Sequence, residues 1–278
     1  MRQPLRDHSA FLCFTEDFDY EHCDLRQRTY PLPGQRGLFA GGVSEGTYAA
    51  LNLGFCRGDD RENVLENYRR FTAAIGADYE GLVLSNQIHG DTVRTVTAAD
   101  RGKGIHSKGD YEADGLITDI PGLCLTVFGA DCLPILLYDP VRRVIAAVHA
   151  GWRGTANGIA GRAVERMVEV YGSRSGDILA AIGPGISKCC FETDEDVPNA
   201  LTGALGASAL KCIELRENGK FYVDLKGLNV LRLEKLGLEP NHIAVSEACT
   251  MCEHERFWSH RYTQGVRGSQ AAMLQLLG

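Results

Sequence analysis

Three short segments hold the side chains best suited to chemistry. They are Gln87-Ile-His-Gly90, Gly129-Ala-Asp-Cys132-Leu-Pro134 and His149-Ala-Gly-Trp-Arg-Gly154. Each sets an imidazole, thiol, carboxylate or guanidinium at the edge of an apolar run. Each also carries glycine, which permits an unusual backbone angle or a close approach by a ligand. In open α/β sheets such strand ends are where ligands bind. His89, Cys132 and His149 together make a Cys-His-His set. Zinc takes imidazole nitrogen and thiolate sulfur, and three protein ligands leave a fourth position open. These ligands do not come in the close pairs of a zinc finger, so the residues alone also allow two satisfied buried histidines and a buried thiol.

Arg153 and the helix start that follows Gly151 form a candidate anion site, because free backbone N–H groups and a guanidinium both favour phosphate. The alternative is a surface charge beside a core Trp152. Asp131 is a candidate general base or a partner orienting a histidine, against an exposed strand-end carboxylate. Cys249-Thr-Met-Cys252 is a single C-x-x-C motif. No second pair stands at the usual spacing of a structural zinc site, so buried thiols are expected there. Cys189-Cys190 reads as a loop leaving a strand, with the candidate site beside it. The P-loop, G-x-G-x-x-G and H-E-x-x-H motifs are absent from the sequence, which removes support for common nucleotide and dinucleotide readings.

The elements that must position these groups alternate between strand and helix. Residues 30–37 read as a loop, and 38–54 as short strands with tight turns. Asp60 caps a helix whose apolar face is Val64, Tyr68, Phe71 and Ile75, and Gly76 ends it. Strands are expected at 82–85, 92–96, 123–128, 134–138, 144–148 and 178–182; continuous apolar runs suit strands buried on both faces. The clearest helix is expected over 155–171. Asn218-Gly219 marks a hairpin. A helix at 226–236 and a strand at 242–246 follow, and the last ten residues fit either state. The expectation is an α/β fold with a mixed sheet and flanking helices: an N-terminal segment with a loop over 1–37, then one catalytic domain over 38–278.

The 278-residue chain is 44% hydrophobic and carries a net charge of −7. That supports a sizeable core and lacks the basic footprint of a nucleic-acid binder. The apolar runs are too short for a membrane helix, and the start of the sequence has no secretory h-region. A cytoplasmic location is therefore expected, with neither nucleic acid nor membrane as a partner. The ten cysteines are irregularly spaced along a long chain. This suits reduced thiols better than a disulfide scaffold.

Several motifs in order resemble the polyphenol oxidase/laccase-domain family, also described as a purine nucleoside phosphorylase family with FAMIN-like members. They are Leu51-Asn-Leu-Gly54, Gly58-Asp-Asp60, Gln87-Ile-His-Gly90, Ala113-Asp-Gly-Leu-Ile-Thr-Asp119, Ala130-Asp-Cys-Leu-Pro134, Ala147-Val-His-Ala-Gly-Trp-Arg-Gly154, Ile182-Gly-Pro184 with Cys189-Cys-Phe-Glu192, and Phe257-Trp-Ser-His-Arg261. The resemblance implies a fold like that of toxin and chemoreceptor deamidases. It implies zinc on His89, Cys132 and His149, with copper and phenol oxidation as the older description. It implies phosphorolysis of adenosine, guanosine or inosine, and methylthioadenosine, together with adenosine deamination. The catalytic set becomes Cys132, His149, His89 and Asp131, with Arg153 and Asn52 binding substrate or phosphate. Gly129, Ser259-His-Arg261 and Gly268-Ser-Gln270 depart from the family's usual residues and bear on substrate preference. The rivals are a cysteine hydrolase or deamidase with Cys132 as nucleophile and His149 as base, and a copper oxidase. The latter would need more site histidines than the eight in the whole chain offer.

Overall fold

The computed structural model describes residues 41–49 and 51–278, with the backbone of two short strands before them. In chain order the elements begin with β1 (Ala10–Cys13), β2 (Arg26–Gln27), α1 (Arg61–Ile75), β3 (Leu82–Leu84), β4 (Val93–Thr95), β5 (Gly115–Thr118) and β6 (Cys124–Gly129). Next come β7 (Leu133–Asp139), β8 (Val144–Ala150), α2 (Trp152–Asn157), α3 (Ile159–Tyr171), β9 (Leu179–Ile182), β10 (Glu192–Thr193) and α4 (Asp196–Leu205). The chain closes with β11 (Ile213–Leu215), β12 (Phe221–Val223), α5 (Leu225–Lys235), β13 (Ile243–Val245), α6 (His260–Thr263) and β14 (Gln270–Leu276).

The strands build two mixed sheets, ordered β2-β1-β14-β6-β3 and β13-β9-β7-β8-β5-β4, and a small third one, β10-β12-β11. Period-two alternation makes the two large sheets a sandwich. Val144, Ala146, Val148 and Ala150 of β8 pack with the helices α3, α4 and α5. Ile145 and Ala147 point the other way, against Leu125, Val127 and Leu274 of the five-stranded sheet. That sheet's outer face is covered by α1 through Val64, Tyr68, Phe71 and Ile75. Four layers result: helix, sheet, sheet, helices. The continuous apolar runs are strands covered on both faces, as such runs require.

Local signals explain most boundaries. The Asp60 carboxylate accepts the Glu62 N–H at 2.9 Å, and Gly76 ends α1 in the left-handed region at φ 73°. The Asn218-Gly219 turn joins β11 to β12 in antiparallel register, Ile213 opposite Val223. The last ten residues resolve as β14, which sits between β1 and β6.

Two expectations need correction. The helix expected over 155–171 is two helices, α2 and α3, broken at Gly158 with φ 82°. Apolar periodicity runs straight across this glycine, yet a Cβ there would lie 2.5 Å from the Arg232 guanidinium. Over 41–49 and 51–54 there are turns and a single 3-10 turn at Gly46–Tyr48 rather than strands. The loop expected at 30–37 lies outside the described residues, while β1 and β2 from the same N-terminal stretch join the edge of the five-stranded sheet.

Candidate metal and substrate site

Two connections lead from the five-stranded sheet into the six-stranded one. The turn after β6 leads through Gly129-Ala-Asp-Cys132 into β7, and the loop after β3 leads through Gln87-Ile-His-Gly90 into β4. Both crossings reach the same end of the sandwich as the end of β8, where His149 lies opposite Pro134. Alternation along β8 turns His149 inward, on the face of Ile145 and Ala147. Three segments far apart in sequence thus deliver His89, Cys132 and His149 to one point, their donor atoms within 4.8 Å of one another. The two imidazole rings meet edge to face, centroids 4.8 Å apart.

Asp114 organises this group, and neither spacing nor composition singled it out. Its side chain is fully buried. Its carboxylate accepts the N–H groups of Ile88, His89 and Gly90 at 3.1, 3.0 and 2.8 Å, which holds His89 at a positive φ of 61°. The same carboxylate lies 2.7 Å from His149 Nδ1. An ionised Asp114 can only accept, so Nδ1–H donates and Nε2 is left to face the thiol. Burial pushes the Asp114 carboxyl up, but His149 and the loop N–H groups outweigh it and hold it below the usual range. Burial likewise opposes charge on Cys132; hydrogen bonds and charge from His149 and His89 win and pull the thiol down to about 6. Burial lowers His149, while Asp114 and the Cys132 sulfur raise it to about 9. Sulfur as thiolate is the form that holds a cation.

Thiolate and imidazole are a donor set zinc prefers, and a second imidazole completes the three protein ligands of an open site. Gly151 fits the same reading. A Cβ there would stand 3.0 Å from Cys132 Sγ and 3.2 Å from the His89 ring, so any side chain would push the donors apart.

The donors open onto a cavity of about 680 Å³. Phe55 and Phe128 supply aromatic surface in its lining, and Arg57, Arg61 and Arg267 supply charge. Arg267 is 8% exposed, and its buried Nε has no hydrogen-bond partner. It bonds only the Gly268 carbonyl and the Ser269 hydroxyl, with no carboxylate in ion-pairing distance among the described residues. Burial, then the neighbouring Arg57 charge, pushes its guanidinium down to about 10. Two guanidinium groups close together without a carboxylate make an anion site.

The structure places three of the residues expected at the site outside the cavity lining. Arg153 is exposed, lies over the Trp152 ring at 4.2 Å and is not part of the cavity lining. Asp131 does not orient a histidine; Asp114 does. At φ 86° the Asp131 carboxylate turns to Thr250 Oγ1 at 2.6 Å and the Arg261 N–H at 2.7 Å, so it ties loops together and positions Cys132 beside it. Asn52 lies fully buried outside that lining. It accepts the N–H groups of Gly54 and Ser269 and donates to Asp59, joining the Arg57 turn to the Arg267 segment.

Residues 39–277 match the family described as multi-copper polyphenol oxidoreductase laccase. The chain is 38% identical over 243 residues to purine nucleoside phosphorylase YlmD of Geobacillus stearothermophilus, covering 84% of this chain and 86% of the relative. The crystal structure of YlmD from that organism superposes with a TM-score of 0.82 over 86% of this chain and 89% of that one, at 37% identity. Purine nucleoside phosphorylase of Deinococcus radiodurans is 39% identical over 252 residues, covering 91% and 92%. Adenosine deaminase RL5, from an unknown prokaryotic organism, is 34% identical over 221 residues, covering 77% and 82%.

Proposed function

The chain belongs to the multi-copper polyphenol oxidoreductase laccase family, and from that membership and the site's chemistry we propose that it is a zinc-dependent purine nucleoside phosphorylase that also deaminates adenosine. The observation that carries the reading is one cavity holding a Cys-His-His donor group and a buried arginine whose Nε has no hydrogen-bond partner. The relatives are named for purine nucleoside phosphorolysis and adenosine deamination.

In this reading His89, Cys132 and His149 hold the zinc, and Asp114 fixes the His149 tautomer. A zinc ion held there would supply Lewis-acid polarisation to the substrate. Arg267 and Arg57 bind phosphate and neutralise its charge as its oxygen attacks C1′ and the bond to N9 breaks. The departing purine takes up the proton that the hydrogen phosphate loses as its oxygen bonds to C1′. Phe128 and Phe55 offer apolar surface to the base. Deamination is the balanced hydrolysis of adenosine and water to inosine and ammonia. The substrates are adenosine, guanosine or inosine, and methylthioadenosine; the setting is the cytoplasm.

A second reading has its own support. Asp114, His149 and Cys132 form a carboxylate–imidazole–thiolate chain of the kind that activates a cysteine nucleophile. Copper would meet the same three donors, but the other sulfur- or histidine-rich group among the described residues has no histidine.

Chromatography of adenosine incubated with and without phosphate tests the first reading. Adenine and ribose 1-phosphate should form only with phosphate, and inosine should form in both. Release of neither adenine nor inosine by the metal-loaded protein would remove it.

A further inference from the structure

The four cysteines that sequence spacing left unpaired come together. Cys189 and Cys190 leave the end of β9; Cys249 and Cys252 leave the end of β13. These two strands run parallel and adjacent at the edge of the six-stranded sheet, so their following loops emerge side by side. Gly185 bridges Cys249, and the Thr250 N–H donates to the Gly185 carbonyl at 3.1 Å. All four sulfurs then lie within 4.8 Å of one another. Cys189 is 3.7 Å from Cys190 and 3.6 Å from Cys252, and Cys190 is 3.3 Å from Cys252.

Those distances have a chemical meaning. Disulfide sulfurs are bonded at about 2.05 Å, so none of the measured pairs is a disulfide. Four sulfurs about 2.3 Å from one tetrahedral zinc ion lie about 3.8 Å apart, close to the spacing seen. The backbone also prepares for charge on sulfur: the Ser187 N–H donates to Cys249 Sγ at 3.4 Å, and the N–H groups of Met251 and Cys252 turn to the same atom. N–H groups aimed at a thiolate are the outer support a metal-bound cysteine needs. Four thiols packed for burial alone would have no reason to converge, and Cys189 and Cys252 are exposed rather than buried.

We infer that Cys189, Cys190, Cys249 and Cys252 form a second metal site, a closed tetrathiolate that takes zinc for structure. Binding releases the thiol protons as four Zn–S bonds form, with no change of oxidation state. All four ligands come from the protein, which leaves no position for substrate. The site's work is mechanical. It clamps the loop after β9 to the loop after β13, and the second loop carries Thr250, which holds the Asp131 carboxylate. The Ile186 N–H holds the Asp131 carbonyl from the first loop at 2.8 Å. Asp131 precedes Cys132, so the clamp steadies the strained turn that presents a ligand of the other site.

Elemental analysis of the full chain, purified under reductant, should find two zinc ions per chain. His149→Ala should keep one, and His149→Ala combined with Cys252→Ser should keep none. Cobalt titration of metal-stripped His149→Ala gives a readout that does not depend on Cys252→Ser folding. It should end at one equivalent, with intense visible d–d bands and the near-ultraviolet charge-transfer band of cobalt thiolate. A His149→Ala chain that holds no zinc and develops no such bands would overturn the site. So would peptide mapping that finds disulfides between the 189–190 and 249–252 segments in the freshly isolated protein.

Discussion

One sulfur-bearing cluster stands at the end of the sandwich and the other at its edge, and they differ in what they leave open. The His89, Cys132 and His149 group has one thiolate and two imidazoles, opens onto a cavity of about 680 Å³, and is steadied by the buried carboxylate of Asp114. The Cys189, Cys190, Cys249 and Cys252 group has four thiols, two of them exposed, supported by backbone N–H groups. Three protein ligands with mixed donors suit a catalytic ion; four thiolates suit a structural one. Similar sulfur chemistry therefore serves opposite ends according to ligand count and surroundings. Each cluster is assembled by sheet topology: sheet-crossing connections in one case, parallel edge strands in the other.

Removing one ligand from each cluster should break the comparison most sharply. His89→Ala should abolish turnover with both adenosine and inosine while the thermal midpoint stays near that of the unaltered chain, because His89 is exposed and the buried His149–Asp114 pair is kept. Cys252→Ser should reverse the pattern, with measurable turnover and a midpoint lower by roughly 5 °C or more. Calorimetry beside a steady-state assay reads both. Identical losses of both properties in the two variants would erase the distinction.

Asp114→Asn tests how the catalytic cluster is supported. It removes the charge that holds His149 Nδ1–H and the His89 loop. Metal affinity or turnover should fall by about 10–100-fold, as for other carboxylates behind a ligating histidine. Competition with a chelator measures the affinity directly. A third comparison sets one arginine against another. Arg267→Ala should lower kcat/KM for phosphate by roughly 10–100-fold, the worth of a charged hydrogen bond of about 1.5–3 kcal/mol, with a smaller effect on adenosine deamination. Arg153→Ala should change either rate by less than about twofold, as expected of an exposed charge. Equal phosphate defects in both variants would move the anion site back to the helix start.

What the sequence revealed follows from how local each signal is. Asp60, Gly76 and the Val64-to-Ile75 stripe lie within one helix, so α1 is readable from neighbours alone. His89, Cys132 and His149 each stand beside a glycine at the edge of an apolar run, so each could be picked out singly. Their convergence could not, because it depends on β3 and β6 belonging to one sheet and β4 and β7 to the other. Asp114 escaped for the same reason: its role exists only because β5 pairs with β8. The thiol cluster joins segments about sixty positions apart through the β9–β13 pairing. Gly158 shows the reverse failure, in which side-chain periodicity persisted through a backbone break. Arg267 follows a stretch with no periodic signal, and its significance comes from burial with an unpartnered Nε.

The account rests on Cys132 holding a metal ion and never bonding to substrate. The most direct measurement is turnover of adenosine with phosphate by chelator-stripped protein, before and after zinc is restored, with intact-mass analysis of the protein during turnover. Turnover should vanish on stripping, return with about one zinc bound at the Cys-His-His site, and leave Cys132 unmodified throughout. Full turnover by verified metal-free protein, or a substrate-derived adduct on Cys132, would contradict the account and establish Cys132 as the nucleophile.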